Sequence, residues 1–286
     1  MIKLVTDSAA DIPKELAEKY DIEVVPFLIN IDGKQVVADK NLDPKVFYKM
    51  VENCEEIPST SQMSPSEIEN IYRKIGRENT IIHITMSAKG SGLNNTANIV
   101  ANQLIDEGYD ITVIDSTMFS FLIGYVAIKA SVMASENKSK EEIIDFITET
   151  FNRDTAYFLV DDLTALKKGG RIKTTAMVIS KVLDIKPILF VNDGLVEAFD
   201  KIRGTKKALS SLVDYIEERM ENPAENEVMI LDSDAKDKVE IIEEMIRERI
   251  KPKAITYADI GPIITTHAGT GLVGIYFKHK KSYKEY

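Results

Sequence analysis

The stretch IIHITMSAKGSGLNNTANIVANQLIDEGYDITVID, residues 81–115, decides the fold class. It contains an apolar run at Ile81–Thr85, a small-residue loop, an amphipathic segment at Gly92–Ile105 and a second apolar run at Ile111–Ile114. Short apolar runs are typical of buried strands, and the longer periodic segment between them is typical of a helix. Because right-handed crossovers join parallel strands, the stretch predicts part of an open, mostly parallel α/β sheet with helices on both faces.

The segments before this stretch fit the same sheet. Ile2–Val5 is a predicted strand, and Ser8–Asp11 has the pattern of a capping box before a helix at about Pro13–Lys19. Asp32-Gly33 lies between two apolar runs, which is the pattern of a tight hairpin. Ser64, followed by Pro65 and Glu67, predicts the start of another helix. We therefore expect an N-terminal α/β domain at residues 1–153.

The pattern changes after about Asp154. Strands are predicted at Ala156–Val160, Pro187–Val191, Leu195–Phe199, Glu227–Leu231, Ala254–Tyr257 and Val273–Phe277. Asn192-Asp193-Gly194 indicates a hairpin between two of these strands, and two helical segments interrupt the series at about 205–221 and 236–249. Hairpins combined with two helices favour a C-terminal α+β domain, with a mixed or antiparallel sheet, at residues 154–286.

Composition excludes several classes of function. The chain has 286 residues, a formal net charge of −10 and a pI of about 5.0, which argues against a nucleic-acid partner and allows only transient contact with an anionic membrane. Cys54 is the only cysteine, so neither a disulfide nor a cysteine metal cluster is expected. The start of the chain lacks a signal-peptide pattern, and the apolar segment Met118–Ala134 is interrupted by Lys129, so we expect a cytoplasmic protein.

Three loops rich in small hydroxyl residues are the first candidates for a binding site. They are Pro58–Gln62, Ser87–Gly92 and Asp115–Thr117. Ligands gather beyond the carboxyl ends of parallel strands, and helix N-termini there offer free N–H donors to a carboxylate or phosphate. The alternative is that these Ser and Thr residues only cap helices. The residues alone thus predict an anion site without identifying the anion.

His267 lies in the glycine-rich stretch Ile260–Gly274, which includes a formal G-x-G-x-x-G. A strand rather than a helix follows this motif, so a dinucleotide site is rejected. An imidazole with an ordinary pKa of ~6.5 can donate to an anionic headgroup, although a single histidine is also often structural. The basic turn Lys167–Arg171 offers Arg171 as a second contact to an anion, unless it is only a solvated loop. No catalytic residue is predicted, because Ser91 lacks a G-x-S-x-G context, and no metal-site spacing is present.

At these residues the chain resembles the DegV family of bacterial fatty-acid-binding proteins. The matching segments are Thr6-Asp7-Ser8 with Asp11, Pro58–Gln62, Ser87 with Ser91-Gly92, Asp115-Ser116, Leu166–Arg171, Lys186–Leu189, Asp193-Gly194, and Gly261-Pro262 with His267, Gly269 and Gly271. The resemblance covers nearly the whole chain. It departs from the family at Met63, Leu93-Asn94 and Thr270, so the preferred acyl chain does not carry over.

The resemblance implies a two-domain DegV-like fold and a role for individual residues. Thr60, Ser91 and His267 would hold the fatty-acid carboxylate, and Arg171 would support them, together with Ser61, Gly92 and Thr266. The fatty acid would be the ligand, with no cofactor or metal. Some family members present the lipid to an ATP-dependent fatty-acid kinase, so this chain would be a carrier and not an enzyme.

The apolar helix near residue 119 offers walls for the acyl tail. Phe119, Leu122, Ile123 and Val126 are predicted to line the tunnel, with core packing as the alternative. Burial contributes ~0.8 kcal/mol per methylene, so the tail would dominate the affinity. Two other functions stay open: a stand-alone phosphoryl- or acyl-transfer enzyme that uses Ser91 and His267 on a small anion, and a lipid-sensing regulatory module.

Overall fold

The computed structural model describes residues 1–161, 163–172 and 185–285. The strands are β1 (Ile2–Asp7), β2 (Glu23–Val25), β3 (Phe27–Ile31), β4 (Lys34–Ala38), β5 (Ser59–Gln62), β6 (Thr80–Thr85), β7 (Asp110–Asp115), β8 (Asp154–Leu159), β9 (Ile185–Asn192), β10 (Leu195–Arg203), β11 (Glu227–Asp232), β12 (Ala254–Asp259) and β13 (Val273–Lys278). The helices are α1 (Lys14–Lys19), α2 (Pro44–Glu52), α3 (Pro65–Ile75), α4 (Leu93–Asp106), α5 (Phe121–Ser135), α6 (Lys140–Arg153), α7 (Thr164–Gly169), α8 (Thr205–Arg219), α9 (Lys236–Arg249) and α10 (Pro262–Ala268).

Sheet A is parallel and has the strand order β2-β1-β6-β7. It confirms the βαβ unit predicted at residues 81–115, in which α4 crosses from β6 to β7. Ile81, Ile82 and Ile84 are fully buried, as expected for a parallel strand with both faces covered. The carboxyl ends of β6 and β7 therefore carry the hydroxyl-rich loops Ser87–Gly92 and Asp115–Thr117 at one edge of this sheet.

Sheet B is a small antiparallel sheet with the order β4-β3-β5. The Asp32-Gly33 hairpin is confirmed, with φ of 46° and 73° at its two turn residues, the left-handed values that such a turn requires. The interpretation of Pro58–Gln62 as a loop was wrong, because Ser59–Gln62 forms β5 and pairs with β3. Its four polar residues lack the apolar alternation from which a strand is predicted.

Sheet C has six strands in the order β10-β9-β8-β13-β11-β12. The Asn192–Gly194 hairpin is confirmed, because β9 and β10 pair antiparallel on either side of it. β13 pairs antiparallel with both β8 and β11, whereas β11 and β12 are parallel. This is the mixed sheet that the C-terminal segments predicted.

Local capping explains where several helices begin. Ser64 and Ser139 both form complete capping boxes, with Glu67 and Glu142 as their partners. The capping box predicted at Ser8–Asp11 was wrong. The Ser8 hydroxyl instead accepts a hydrogen bond from the backbone of Phe27, and residues 8–10 form a 3-10 turn capped by the carboxylate of Asp7.

The core joins the two sequence halves. One apolar cluster contains buried residues of sheet A and of one face of sheet C, such as Leu4, Ile84, Phe158 and Tyr276. The other face of sheet C packs on α8 and α9 in a second cluster. α6 ends at Arg153 and β8 begins at Asp154, although the division of the chain at this point stays a prediction. Within the described residues, no helix is both long and apolar enough to span a bilayer.

Candidate functional site

A cavity of about 340 Å³ lies where sheets B and C meet the loops of sheet A. Its size is within the range of ~300–1,000 Å³ that is common for small-molecule sites. Two regions of its lining differ sharply in chemistry. The polar wall consists of Thr60, Gln62, Ser91, Arg171 and His267, and the apolar floor consists of Ala156, Phe158, Val191, Leu231, Gly274 and Tyr276.

The apolar floor is one face of sheet C. Gly274 and Tyr276 of β13 and Leu272, which directly precedes this strand, are spaced by two along the chain, so they face the same side and all line the cavity. In the sheet register, Gly274 pairs with Phe158 of β8 and with Leu231 of β11. Among the described residues the floor carries no charged side chain, so it offers only apolar contact. This region was not predicted as part of the site.

Thr60 and His267 meet in the polar wall, although 207 residues separate them in the chain. The Thr60 Oγ1 and the His267 Nε2 share a hydrogen bond of 2.9 Å. Thr60 faces the cavity because side chains alternate along β5. His267 reaches it from the last turn of α10, which packs against β5. The interpretation of His267 as a loop residue was wrong, because Pro262 begins a short helix that glycine ends at position 269.

The imidazole of His267 is neutral at physiological pH. Burial, and then the positive charge of Arg171, lower its pKa to about 4. A Cβ atom placed on Gly169 would lie 2.8 Å from the Nδ1 of His267, so the α7 segment packs tightly on the other side of the ring. His267 is therefore a fixed, uncharged hydrogen-bonding group, and it does not supply positive charge to an anion.

Ser91 and Gly92 lie at the start of α4. The Ser91 Oγ accepts a hydrogen bond of 3.2 Å from the backbone N–H of Leu93, and Gly92 occupies the cap position of the helix. α4 runs for 14 residues, so its N-terminus directs a partial positive charge toward the cavity. Both residues line the cavity, and this arrangement suits a carboxylate oxygen. Their predicted contact with a carboxylate stays a prediction.

Arg171 brings a full positive charge to the polar wall. Among the described residues that line the cavity, it is the one with a formal charge. Its Nε donates to the backbone carbonyl of Gly90 at 3.1 Å, and its Nη1 donates to the carbonyl of Gly169. Gly170, with a φ of 69°, ends α7 and turns the chain so that Arg171 faces the cavity. These bonds fix the guanidinium beside the loop that carries Ser91.

Gln62 belongs to the polar wall and to the predicted candidate segment Pro58–Gln62, although no role was predicted for its own side chain. It lies two residues after Thr60 on β5 and therefore faces the same side. Its Nε2 donates to the Thr96 Oγ1 at 2.8 Å, whereas its buried Oε1 has no hydrogen-bond partner among the residues that the structure describes. Recognising β5 as a strand would have identified Gln62, because a period of two follows from strand geometry.

Two predicted supporting residues lie away from the cavity. Ser61 is exposed on the opposite face of β5 from Thr60, as strand alternation requires. Thr266 is buried, and its Oγ1 donates to the carbonyl of Pro262 at 2.8 Å within α10. Its hydroxyl is therefore used inside the helix.

The predicted tail-lining residues separate into two groups. Phe119 lines the cavity, next to Gly90. Leu122, Ile123 and Val126 do not line it, since they are fully buried in the apolar core. The physical reason is that α5 packs against β1 and α6, so its apolar side chains fill the space between these elements. The alternative of core packing therefore applies to these three residues.

Two buried carboxyl groups hold parts of the cavity wall in place. Asp7 accepts hydrogen bonds from the backbone of Ala9 at 3.0 Å and of Met86 at 2.7 Å, and Asp11 accepts one from the Ser120 hydroxyl at 2.6 Å. Burial raises the pKa of each carboxyl to about 7. Met86 and Ser120 both line the cavity, which gives these acids a structural role. Within residues 1–161, 163–172 and 185–285, no group of three or more metal-ligating side chains is arranged to hold a metal ion.

Comparison with known proteins identifies the family. The family model for DegV, described as an uncharacterised protein family, matches residues 1–280. The chain belongs to the DegV family. A DegV domain-containing protein of Caldanaerobacter subterraneus is 35% identical over 280 residues, which cover 98% of this chain and 99% of that protein. Protein DegV of Bacillus subtilis is 30% identical, with 96% and 98% covered.

Solved structures of DegV proteins have the same fold. A fatty-acid-binding DegV family protein from Thermus thermophilus superposes with a TM-score of 0.87 at 27% identity, covering 97% of this chain and 99% of that one. DegV of Bacillus subtilis, also a fatty-acid-binding protein, gives 0.84 at 30% identity, with 98% and 99% covered. DegV homologues thus bind fatty acids, and the predicted fold class is confirmed.

Proposed function

We propose that this protein binds a long-chain fatty acid in the 340 Å³ cavity and presents its carboxylate to a separate fatty-acid kinase. The observation that carries the proposal is the division of one cavity into a polar wall and an apolar floor. A molecule that fits both regions has an anionic or polar head on a long apolar tail. Fatty-acid binding by the Thermus and Bacillus relatives supports this choice.

The polar wall has the groups that a buried carboxylate needs. A carboxylate without partners is costly to bury. Arg171 supplies the compensating charge, and the hydroxyls of Thr60 and Ser91 supply donors. In this proposal the neutral His267 carries its proton on Nε2 and donates it to the Thr60 Oγ1, which leaves the Thr60 hydroxyl hydrogen for the carboxylate. The headgroup contacts then fix the orientation of the lipid.

The apolar floor accounts for most of the affinity. At ~0.8 kcal/mol per buried methylene, a long tail contributes on the order of 10 kcal/mol before the costs of ordering. Phe158, Leu231 and Tyr276 are almost completely buried, so a tail against them is shielded from water. The contacts are non-directional, and the polar wall is therefore needed to place the head at one end.

Exposure of the polar wall supports presentation to a second protein. Thr60, Ser91, Arg171 and His267 are only partly buried, in contrast to the floor. A carboxylate held there is closer to solvent than the tail, so an enzyme that docks on these loops could reach it. The family resemblance favours an ATP-dependent fatty-acid kinase, and we place this carrier function in the cytoplasm, where ATP is available.

Mass spectrometry of organic extracts from the purified protein tests the ligand. We expect long-chain fatty acids in amounts comparable to the protein. If no lipid is extracted and the protein takes up no added palmitic acid, the proposal is wrong.

The presenting role needs a separate test with ATP and a purified bacterial fatty-acid kinase. We expect acyl phosphate only when carrier, kinase and ATP are all present. Ser91→Ala and Thr60→Ala should reduce acyl-phosphate formation more than lipid retention, because the tail holds the lipid. Equal losses would show that the headgroup contacts also retain it, and acyl phosphate formed without the kinase would favour the stand-alone enzyme instead.

A further inference from the structure

Gly274 is an unusual residue for the middle of a central strand. β13 lies between β8 and β11 in sheet C, and Gly274 pairs with a residue of each. Its φ is not in the left-handed region, so the backbone conformation there does not require glycine. Glycine weakens a strand interior because it has the largest conformational freedom to lose and no side chain to pack. Glycine at this position must therefore be explained by what lies next to it, either other protein atoms or the cavity.

Protein neighbours do not supply that reason. A Cβ atom on Gly90 would lie 2.5 Å from the ring of Phe119, so that glycine is needed for packing. On Gly274 the same atom would meet, among the described residues, only Phe158 Cβ at 3.5 Å and Leu272 Cδ2 at 3.6 Å, which are ordinary contacts. These neighbours therefore leave room for a Cβ atom at position 274.

The room in front of Gly274 is part of the cavity. Leu272, just before β13, and Tyr276 within it flank Gly274 along the chain, and Phe158 and Leu231 flank it on the neighbouring strands. All four side chains line the cavity, as does Gly274 itself. Gly274 is thus a low point at the centre of the apolar floor, surrounded by larger apolar residues. A glycine within a strand often marks a place where a ligand approaches the backbone closely.

We propose that Gly274 sets the longest acyl tail that the cavity accepts, because the last carbons of a long tail lie over its backbone and shorter tails end before it. This inference rests on the proposed fatty-acid function and adds a determinant of substrate length to it. A side chain at position 274 fills space that the tail would otherwise occupy. Because close-packed protein surrounds the cavity, the added atoms leave room for fewer methylenes of the tail.

The test compares wild type, Gly274→Ala and Gly274→Val with lauric, myristic, palmitic and stearic acid. Each methylene that loses its place weakens binding about fourfold. Gly274→Ala should weaken palmitic acid about fourfold, and Gly274→Val about tenfold or more, while lauric acid is little affected. Lipids extracted from the variants after expression in one host should shift to shorter chains in the same order.

Val273→Ile is the matched control. It adds bulk to the same strand, but Val273 is buried in the second apolar cluster, on the other face of sheet C. It should leave the length profile unchanged, even if overpacking lowers stability. If Gly274→Val fails to fold, Gly274→Ala, whose added atom makes only ordinary contacts, still gives the answer.

The outcomes separate this inference from the proposed function. If wild type binds none of the four acids, the proposed function fails. If wild type binds them but Gly274→Ala has the same length profile, the tail does not lie over position 274 and this inference is wrong. A parallel loss of affinity for all four acids would also contradict it, because that result indicates a general defect of the cavity.

Discussion

The polar wall and the apolar floor of the cavity are built in different ways. The residues of the polar wall lie on four segments far apart in the chain and are fixed by specific hydrogen bonds, such as Thr60 to His267 and Arg171 to Gly90. The floor is one face of a single sheet, on which strand alternation places the apolar side chains. In the proposed function this difference separates orientation from affinity. A few hydrogen bonds would orient the headgroup, while the non-directional apolar contacts of the floor would retain the tail.

Among substitutions in the polar wall, Arg171→Ala should have the largest effect on the affinity for a fatty acid. It removes the formal charge from the lining of the described cavity and leaves a bound carboxylate without its cation. We expect the Kd for palmitic acid to rise by about a hundredfold, or ~3 kcal/mol. Lys168→Ala makes the same change in net charge at an exposed position three residues away, and it should change the Kd less than twofold. Equal effects of the two variants would mean that only overall charge matters.

Shortening the ligand tests the floor without changing the protein. Myristic acid has two methylenes fewer than palmitic acid, so it should bind wild type about fifteenfold more weakly. In Arg171→Ala the same ratio should persist, because the tail contacts are unchanged. Measuring the Kd of both acids for both proteins shows whether the headgroup contacts and the tail contacts contribute independently to the binding free energy. A ratio that collapses in the variant would show that the two regions do not act independently.

Thr60→Val removes a single hydroxyl from the polar wall at nearly constant shape. It deletes the hydrogen bond to His267 and one donor to the carboxylate, so we expect about a tenfold rise in the Kd for palmitic acid. Ser61→Ala removes the neighbouring hydroxyl, which is exposed on the other face of β5, and should have no effect on binding. If Ser61→Ala weakened binding as much as Thr60→Val, the orientation of β5 described above would be incorrect.

The smallest effect should come from the protonation of His267, which makes the free energy of unfolding depend on pH. Its pKa is lowered to about 4 in the folded protein, while the unfolded chain protonates near the ordinary value of ~6.5. Between these two pKa values the unfolded state binds more protons than the folded state. The contribution of the neutral His267 to the free energy of unfolding is therefore fully present above pH ~6.5 and is lost as the pH falls toward ~4.

Urea unfolding of wild type and His267→Gln measures this contribution. Between about pH 7 and about pH 4.5, the variant should lose less unfolding free energy than wild type, by on the order of 1 kcal/mol after allowing for the partial exposure of the ring. His83 and His279, whose pKa values are also lowered by burial, remain in both proteins. Identical slopes would mean that His267 titrates normally.

The sequence predicted the polar wall better than the floor, for physical reasons. Thr60, Ser91, Arg171 and His267 are polar residues in unusual local patterns, so they are visible in the sequence before their contacts are known. Their meeting was predicted through the family resemblance, since residues 207 apart have no local signal for contact. The place of the Gln62 side chain in the polar wall was missed because a short polar strand lacks the apolar alternation that identifies strands.

The floor was not predicted because its residues resemble any buried strand. Phe158 and Leu231 have the same pattern as the residues that face α8 and α9, and a shift of one position exchanges the two faces. The tunnel was instead predicted at α5, where apolar residues are densest, yet Leu122 and its neighbours fill the core. Apolar composition identifies burial, but it does not distinguish a cavity wall from a packed interior.

A crystal structure of the protein with palmitic acid would show whether the headgroup and the tail occupy the polar wall and the apolar floor. We expect one fatty acid in the cavity, with its carboxylate within hydrogen-bond distance of Thr60, Ser91 and Arg171 and its tail against Phe158, Gly274 and Leu231. A carboxylate at the apolar floor, or a fatty acid bound outside this cavity while the cavity stays empty, would contradict this expectation.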